Sequence, residues 1–130
     1  MARTNLPLST LVPNGVIDIP AGTTIDQTNG MNVQLPATAL PAAPGMDNLF
    51  LYVATTNGAD KTVTIRAGVN PPAFRSAMGD LVVTAHNASG GGVIGPLESA
   101  RFAQADGSVN VDFASGITGK ITAFIKPSRW

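Results

Sequence analysis

Between residues 108 and 113 polar and apolar side chains alternate strictly: Val109, Val111 and Phe113 fall on one side, and Ser108, Asn110 and Asp112 on the other. That period of two is the mark of a half-buried β-strand. Residues 61–66 alternate in the same way around Val63 and Ile65, and 80–86 and 120–126 are rich in the β-branched and apolar residues that strands favour. Residues 48–54 form an unbroken apolar run after Asn48, the pattern of a strand buried on both faces. Asn57-Gly58 separates that run from 61–66 and predicts a β-hairpin joining the two. Gly90-Gly91-Gly92 predicts a flexible or sharply turned connection, after which Val93-Ile94 and the segment around Arg101-Phe102 are expected to pair. Phe50, Tyr52, Phe102, Phe113 and Phe124 all fall within expected strands and are expected in the core.

Upstream of Met46 the pattern changes. Six of the ten prolines stand at Pro7, Pro13, Pro20, Pro36, Pro41 and Pro44, each lacking a backbone donor and biasing its predecessor toward extended conformations. A regular helix is excluded there in favour of short extended pieces at 16–19 and 31–35, with turns at Asn14-Gly15, Ala21-Gly22 and Asn29-Gly30. Residues 1–46 therefore read as an extended N-terminal arm or strap with short, edge-like strands. Residues 47–130 read as an antiparallel β-domain with a short C-terminal tail. Short strands every 8–12 residues or so, without an amphipathic helix, predict an all-β fold, a small antiparallel sandwich or barrel of jelly-roll-like kind.

Composition narrows the function classes. Lys+Arg and Asp+Glu are 8 each and only 12% of the 130 residues are charged, so no excess positive potential draws the chain to nucleic acid or an anionic membrane. The apolar runs are far shorter than the roughly 20 residues of a membrane span, and Met1-Ala2-Arg3-Thr4 opens no signal-peptide core, so a protein used without secretion is expected. With no Cys, thiolate chemistry and disulfides are excluded.

The catalytic constellations are equally sparse. His86 is the one histidine, at a strand end with no motif around any serine, which argues against a nucleophile triad. The acidic residues are dispersed, against the clustering a metal site needs. Asp47, Asp60, Asp80 and Asp106 read as turn punctuation, and nothing recommends Glu98 and Asp112 as a glycosidase pair. No cofactor, metal or small-molecule substrate is expected. Candidate partner contacts are Arg3, Leu6, Leu8 and Leu11 in the arm, Phe74 on the stiff segment Pro71-Pro72-Ala73-Phe74-Arg75, and Arg129 with Trp130 at the end of the sequence.

Residues 48–127 resemble small β-structured virion proteins of tailed bacteriophages, in particular head decoration (capsid cement) proteins. The resemblance is carried by 63–68 (Val-Thr-Ile-Arg-Ala-Gly), the strand start Gly79-Asp80-Leu81, residues 95–102 (Gly-Pro-Leu-Glu-Ser-Ala-Arg-Phe), Gln104-Ala105-Asp106-Gly107-Ser108, and the closing strand at 118–124. It implies a non-enzymatic protein, made in the host cytoplasm, that binds the exterior of a capsid as a trimer and clamps neighbouring major capsid protein subunits. Extended segments suit that task because they can add to a neighbour's sheet edge, and several attachment points gain avidity. Deleting residues 2–15 is then expected to weaken shell binding while leaving the domain folded. Alternative expectations are a low-copy connector or tail component, and a carbohydrate-binding β-sandwich module.

Overall fold

The computed structural model describes residues 3–12, 14–18, 20–34, 49–68, 79–97, 99–102, 104 and 107–125. Ten strands are found among them: β1 (Thr4–Asn5), β2 (Leu8–Thr10), β3 (Thr23–Thr24), β4 (Met31–Gln34), β5 (Leu49–Thr55), β6 (Lys61–Ile65), β7 (Leu81–Ala85), β8 (Gly91–Leu97), β9 (Ser108–Phe113) and β10 (Gly119–Ile125). One α-helical turn, α1, spans Ser99–Phe102, and a 3-10 turn spans Asn87–Ser89. The class is all-β.

The strands form two sheets, in the orders β1-β4-β9-β6-β7 and β2-β10-β5-β8, with β3 beside β10. Both are mixed, not purely antiparallel as expected: β1 runs parallel to β4 and β2 parallel to β10. Alternation puts Met31, Val33, Val63, Ile65, Val109 and Val111 of the first sheet into the same core as Leu49, Leu51, Val53, Ile121, Ala123 and Ile125 of the second. Each of the Val, Leu, Ile and Met side chains among these, fully buried, contributes about 1.5–3 kcal/mol.

The hairpin expected at Asn57-Gly58 does not form. β5 is flanked in the second sheet by β10 and β8, whereas β6 is flanked in the first by β9 and β7. Neither Asn57 nor Gly58 has a positive φ, which a two-residue type I′ turn requires of both. The five residues 56–60 instead arch from one sheet to the other. Residues 114–118 make a second arch from β9 to β10, and 86–90 a third from β7 to β8.

All three arches lie at one end of the molecule and are stapled by backbone and side-chain hydrogen bonds. Thr56 N–H donates to Thr118 O at 2.9 Å and Thr118 N–H to Asn57 Oδ1 at 3.2 Å, while Asn57 Nδ2 donates to Ala59 O. Asn87 N–H donates to Asp60 Oδ1 at 2.9 Å. Gln27 completes the set: its Nε2 donates to Ile117 O at 3.0 Å and its Oε1 accepts from Gly116 N–H at 2.5 Å. Backbone groups left free by the sheet crossings are thereby satisfied.

Residues 3–11 stitch the opposite end of the strand orders. β1 lies on the edge of the first sheet, and Leu6 N–H continues its ladder to Asn32 O at 2.8 Å. Pro7, which has no N–H to lose, makes the crossing, and β2 resumes on the edge of the second sheet. The Leu6 side chain plugs the gap between the sheets and is 1% exposed. β4 is interior, between β1 and β9, not edge-like. Of the extended piece expected at 16–19, the described residues 16–18 form no strand, and Ile19 lies outside the described residues.

Two further expectations need correction. Arg101-Phe102 belongs to α1 and pairs with no strand; its Phe102 ring is buried under the core and holds the Arg101 guanidinium 4.7 Å from its centroid. Gly91 and Gly92 are not a loop but the start of β8. Gly91 has φ 116°, and a Cβ there would collide with Val53 O, so glycine is what lets β8 approach β5.

Candidate functional site

The two strand orders end differently on their two sides. On one side β1 and β2 are consecutive in sequence, and Leu6 closes the space between them. On the other side β7 and β8 each end their sheet among the described residues, and an apolar cavity of about 310 Å³ opens between them. Leu81, Val83, Val93, Ile94 and Leu97 line it together with Val53 and Thr84, and no charged residue takes part. The alternation that turns Leu81 and Val83 inward turns Val82 outward, 59% exposed. An edge strand with outward backbone groups and an apolar side chain is a template for a further extended segment.

The surface beside this cavity is the outer face of the second sheet. Leu49, Leu51 and Val53 point inward along β5, so Phe50, Tyr52 and Ala54 point outward. Phe50 sits opposite Phe124 on β10, and Tyr52 opposite Val93 on β8. Tyr52 is 46% and Val93 66% exposed. β5 is therefore a strand buried on one face, not on both as expected, and Phe50, Tyr52 and Phe124 are outer-face residues rather than core ones. Of the five aromatics expected inside, Phe102 is buried and Phe113 packs partly buried against the core. β5's strict alternation carries the signal for this: once Leu49, Leu51 and Val53 are assigned inward, Phe50 and Tyr52 have only the other face.

The outer face of the first sheet is ionic. Arg3 Nη1 lies 2.5 Å from Asp112 Oδ1 and 3.3 Å from Val111 O. Arg66 bridges Asp112 (Nε to Oδ2, 3.6 Å) and Asp80 (Nη1 to Oδ2, 3.2 Å). The chain Arg3–Asp112–Arg66–Asp80 thus ties β1, β9 and the segments flanking β6 and β7. Room for it depends on Gly30, φ 74°, where a Cβ would stand 2.5 Å from Asp112 Oδ1 and against Arg3 Nη1.

Among the residues chosen from sequence as partner contacts, Arg3 is engaged by Asp112, Leu6 is inside the core, and Leu8 and Leu11 are partly buried along the β2 segment. Leu8 packs against the core. Phe74, Arg129 and Trp130 lie outside the described residues. The large apolar side chains that are exposed among the described residues are Val12, Val16, Tyr52, Val82 and Val93, and none of them is an expected contact.

The polar clusters act as turn anchors. Asp26 accepts from Thr4 Oγ1 at 2.5 Å, from the backbone N–H groups of Thr28 (3.2 Å) and Asn29 (3.0 Å), and from Asn29 Nδ2 at 3.2 Å. The Thr4 hydroxyl first, then the Asn29 N–H, hold its carboxyl below the ordinary value. Asp60 is lowered chiefly by the Asn87 N–H and next by His86, whose Nδ1 is 3.1 Å away. Ser89 Oγ shares its one proton between the carbonyls of His86 (3.2 Å) and Gly91 (2.9 Å), so it is spent on the backbone rather than on the imidazole. Asp80 takes the Ala67 N–H at 2.7 Å. Asp47, Glu98 and Asp106 lie outside the described residues.

Among the described residues no group of three or more His, Cys, Asp or Glu is placed to hold a metal ion, and no helix is long and apolar enough to cross a membrane. What this geometry offers is surface: two sheet edges around an apolar cavity, continuous with an aromatic and aliphatic sheet face. Comparison with known proteins finds no protein family, no characterised protein and no solved structure that matches the chain.

Proposed function

We propose that the chain is a structural virion protein that binds the outer surface of a phage capsid and stabilises it by clamping neighbouring capsid subunits. The single observation that carries this reading is the apolar cavity between β7 and β8, each the last strand of its sheet among the described residues, with the exposed Val93 on its lining and the exposed Val82 beside it on β7. An extended apolar segment of the major capsid protein is the occupant this shape suits, because β7 or β8 supplies main-chain bonds and the cavity takes one aliphatic side chain. In this reading the two sheets make a small jelly-roll-like sandwich, the chain is a trimer on the capsid exterior, and the arm of residues 1–46 contributes contacts. Avidity from several weak attachments then replaces high single-site affinity. The sequence resemblance to head decoration proteins supplies the identity of the partner.

The test is copy number in purified virions, measured against the major capsid protein by calibrated mass spectrometry, together with co-sedimentation of the purified chain with empty shells. Shell-wide abundance and saturable co-sedimentation are expected. A handful of copies per particle moves the assignment to a connector or tail component, and absence from the particle overturns it. Tyr52, an exposed ring on a sheet face, favours a second reading, a carbohydrate-binding module in which the ring stacks on a pyranose. Specific signals on a glycan array, lost in Tyr52→Ala, would support that reading instead.

A further inference from the structure

The sequence contains three described Asn-Gly steps, Asn14-Gly15, Asn29-Gly30 and Asn57-Gly58, and the fold treats them differently. Asn-Gly is the dipeptide most open to attack by the following amide nitrogen on the side-chain carboxamide, because glycine has no Cβ to obstruct the approach. The attack needs a side chain free to rotate over the backbone and an amide N–H not held elsewhere.

Two of the steps are restrained. Asn57 spends its Oδ1 on Thr118 N–H at 3.2 Å and its Nδ2 on Ala59 O. Asn29 has its Nδ2 on Asp26 Oδ2 at 3.2 Å, and Gly30 N–H is committed to Asp26 O at 3.0 Å on a buried residue. Asn14 is the contrast. It stands exposed in the connection between β2 and β3, its side chain has no hydrogen-bond partner among the described residues, and it is the one described non-glycine residue with a positive φ, 53°. The Gly15 amide is held only by a long bond to Val12 O, 3.3 Å. Left-handed backbone is uncommon outside glycine, although Asn tolerates it best, so leaving it meets little resistance in an exposed loop.

We infer that Asn14 is a spontaneous modification site, the one of the three Asn-Gly steps that deamidates fastest in the folded protein. The Gly15 nitrogen, giving up its proton to solvent base, bonds to Asn14 Cγ, and the Cγ–Nδ2 bond breaks with loss of ammonia. Water then adds to either carbonyl of the resulting succinimide and opens it. The products are an aspartate in the normal linkage or an isoaspartyl linkage that lengthens the main chain by one methylene. Either adds one negative charge to the loop between β2 and β3.

The experiment is to hold the purified full chain in mildly alkaline buffer, folded and in guanidinium chloride. Peptide mapping by mass spectrometry then follows the mass gain of NH2 replaced by OH at each asparagine. In the folded protein Asn14 is expected to convert several-fold faster than Asn29 and Asn57, and in denaturant the three rates are expected to converge. Gly15→Ala should slow conversion at Asn14 alone. Equal rates at the three positions in the folded protein, or the same ranking with and without denaturant, would overturn the inference.

Discussion

Thr4 and Asp26 meet at 2.5 Å, the hydroxyl donating to Oδ2, and through this contact the first strand of the chain is held by the turn that precedes β4. Because its hydrogen bonds favour the ionised form, Asp26 has a folded-state pKa below its ordinary 3.8. The stability it contributes is therefore present above 3.8 and is lost as pH falls through the lower folded value. Asp60, also lowered, by Asn87 N–H first, loosens the β7–β8 arch in the same acid window. Amide hydrogen exchange as a function of pH should show Thr28, Asn29 and Asn87 losing protection together below the ordinary carboxylate range. Asp26→Asn should make protection at Thr28 and Asn29 independent of pH there. Protection that survives acidification unchanged would remove Asp26 as the anchor.

Leu6 is the side chain that turns residues 3–11 from a covering into part of the core. Leu6→Ala is expected to destabilise the protein by about 2–5 kcal/mol, the usual range for a large-to-small change at a fully buried site. Leu11→Ala, at a partly buried position, should cost clearly less. Denaturant unfolding of the two variants checks the ranking. By the same reasoning, deletion of residues 2–15 removes β1, β2 and Leu6 together, so it is expected to lower stability as well as any binding. Point changes on the surface are the cleaner test of function.

Asn57 shows what the sequence carries and where it stops. The strands themselves are legible: the alternation at 61–65 and 108–113 and the apolar content of 81–85 and 119–125 place β6, β9, β7 and β10 close to their observed bounds. Which sheet each strand joins is not legible locally, because β5 and β6 each have one apolar face and would satisfy a hairpin or an arch equally well. The choice is made by remote partners, β10 along the whole of β5 and Thr118 on Asn57. The Arg3–Asp112 pair, 109 positions apart, has no local signature either. Replacing Asn57 with Ala deletes its bonds to Thr118 N–H and to Ala59 O and is expected to cost about 0.5–1.5 kcal/mol, the net worth of a hydrogen bond that water can replace. Thermal unfolding measures the loss. If Asn57 instead serves a hairpin turn, Asn57→Asp, which keeps the Oδ1 acceptor but not the Nδ2 donor, would be neutral, whereas the arch predicts an intermediate loss.

Val93 lines the cavity from β8, Val82 stands exposed on β7 between the lining residues Leu81 and Val83, and neither belongs to the buried core, so each can be changed without disturbing it. Val82→Lys and Val93→Lys place an ammonium on an edge strand, the device by which proteins discourage strand addition. Stability should move by no more than about 0.5 kcal/mol, as for surface positions generally. Under the proposed capsid-binding role, binding to empty shells should fall at least about tenfold, equivalent to about 1.4 kcal/mol, because docking an apolar segment over the charge costs desolvation without a partner. Co-sedimentation at several protein concentrations reads the affinity, and denaturant unfolding reads the stability of the same samples. A charge on the opposite side of the strand orders, at Ser9→Lys on β2, should leave shell binding intact if the occupant lies between β7 and β8. Equal loss with all three variants would point to non-specific charge repulsion, and retention by Val82→Lys and Val93→Lys would place the contact surface elsewhere on the molecule.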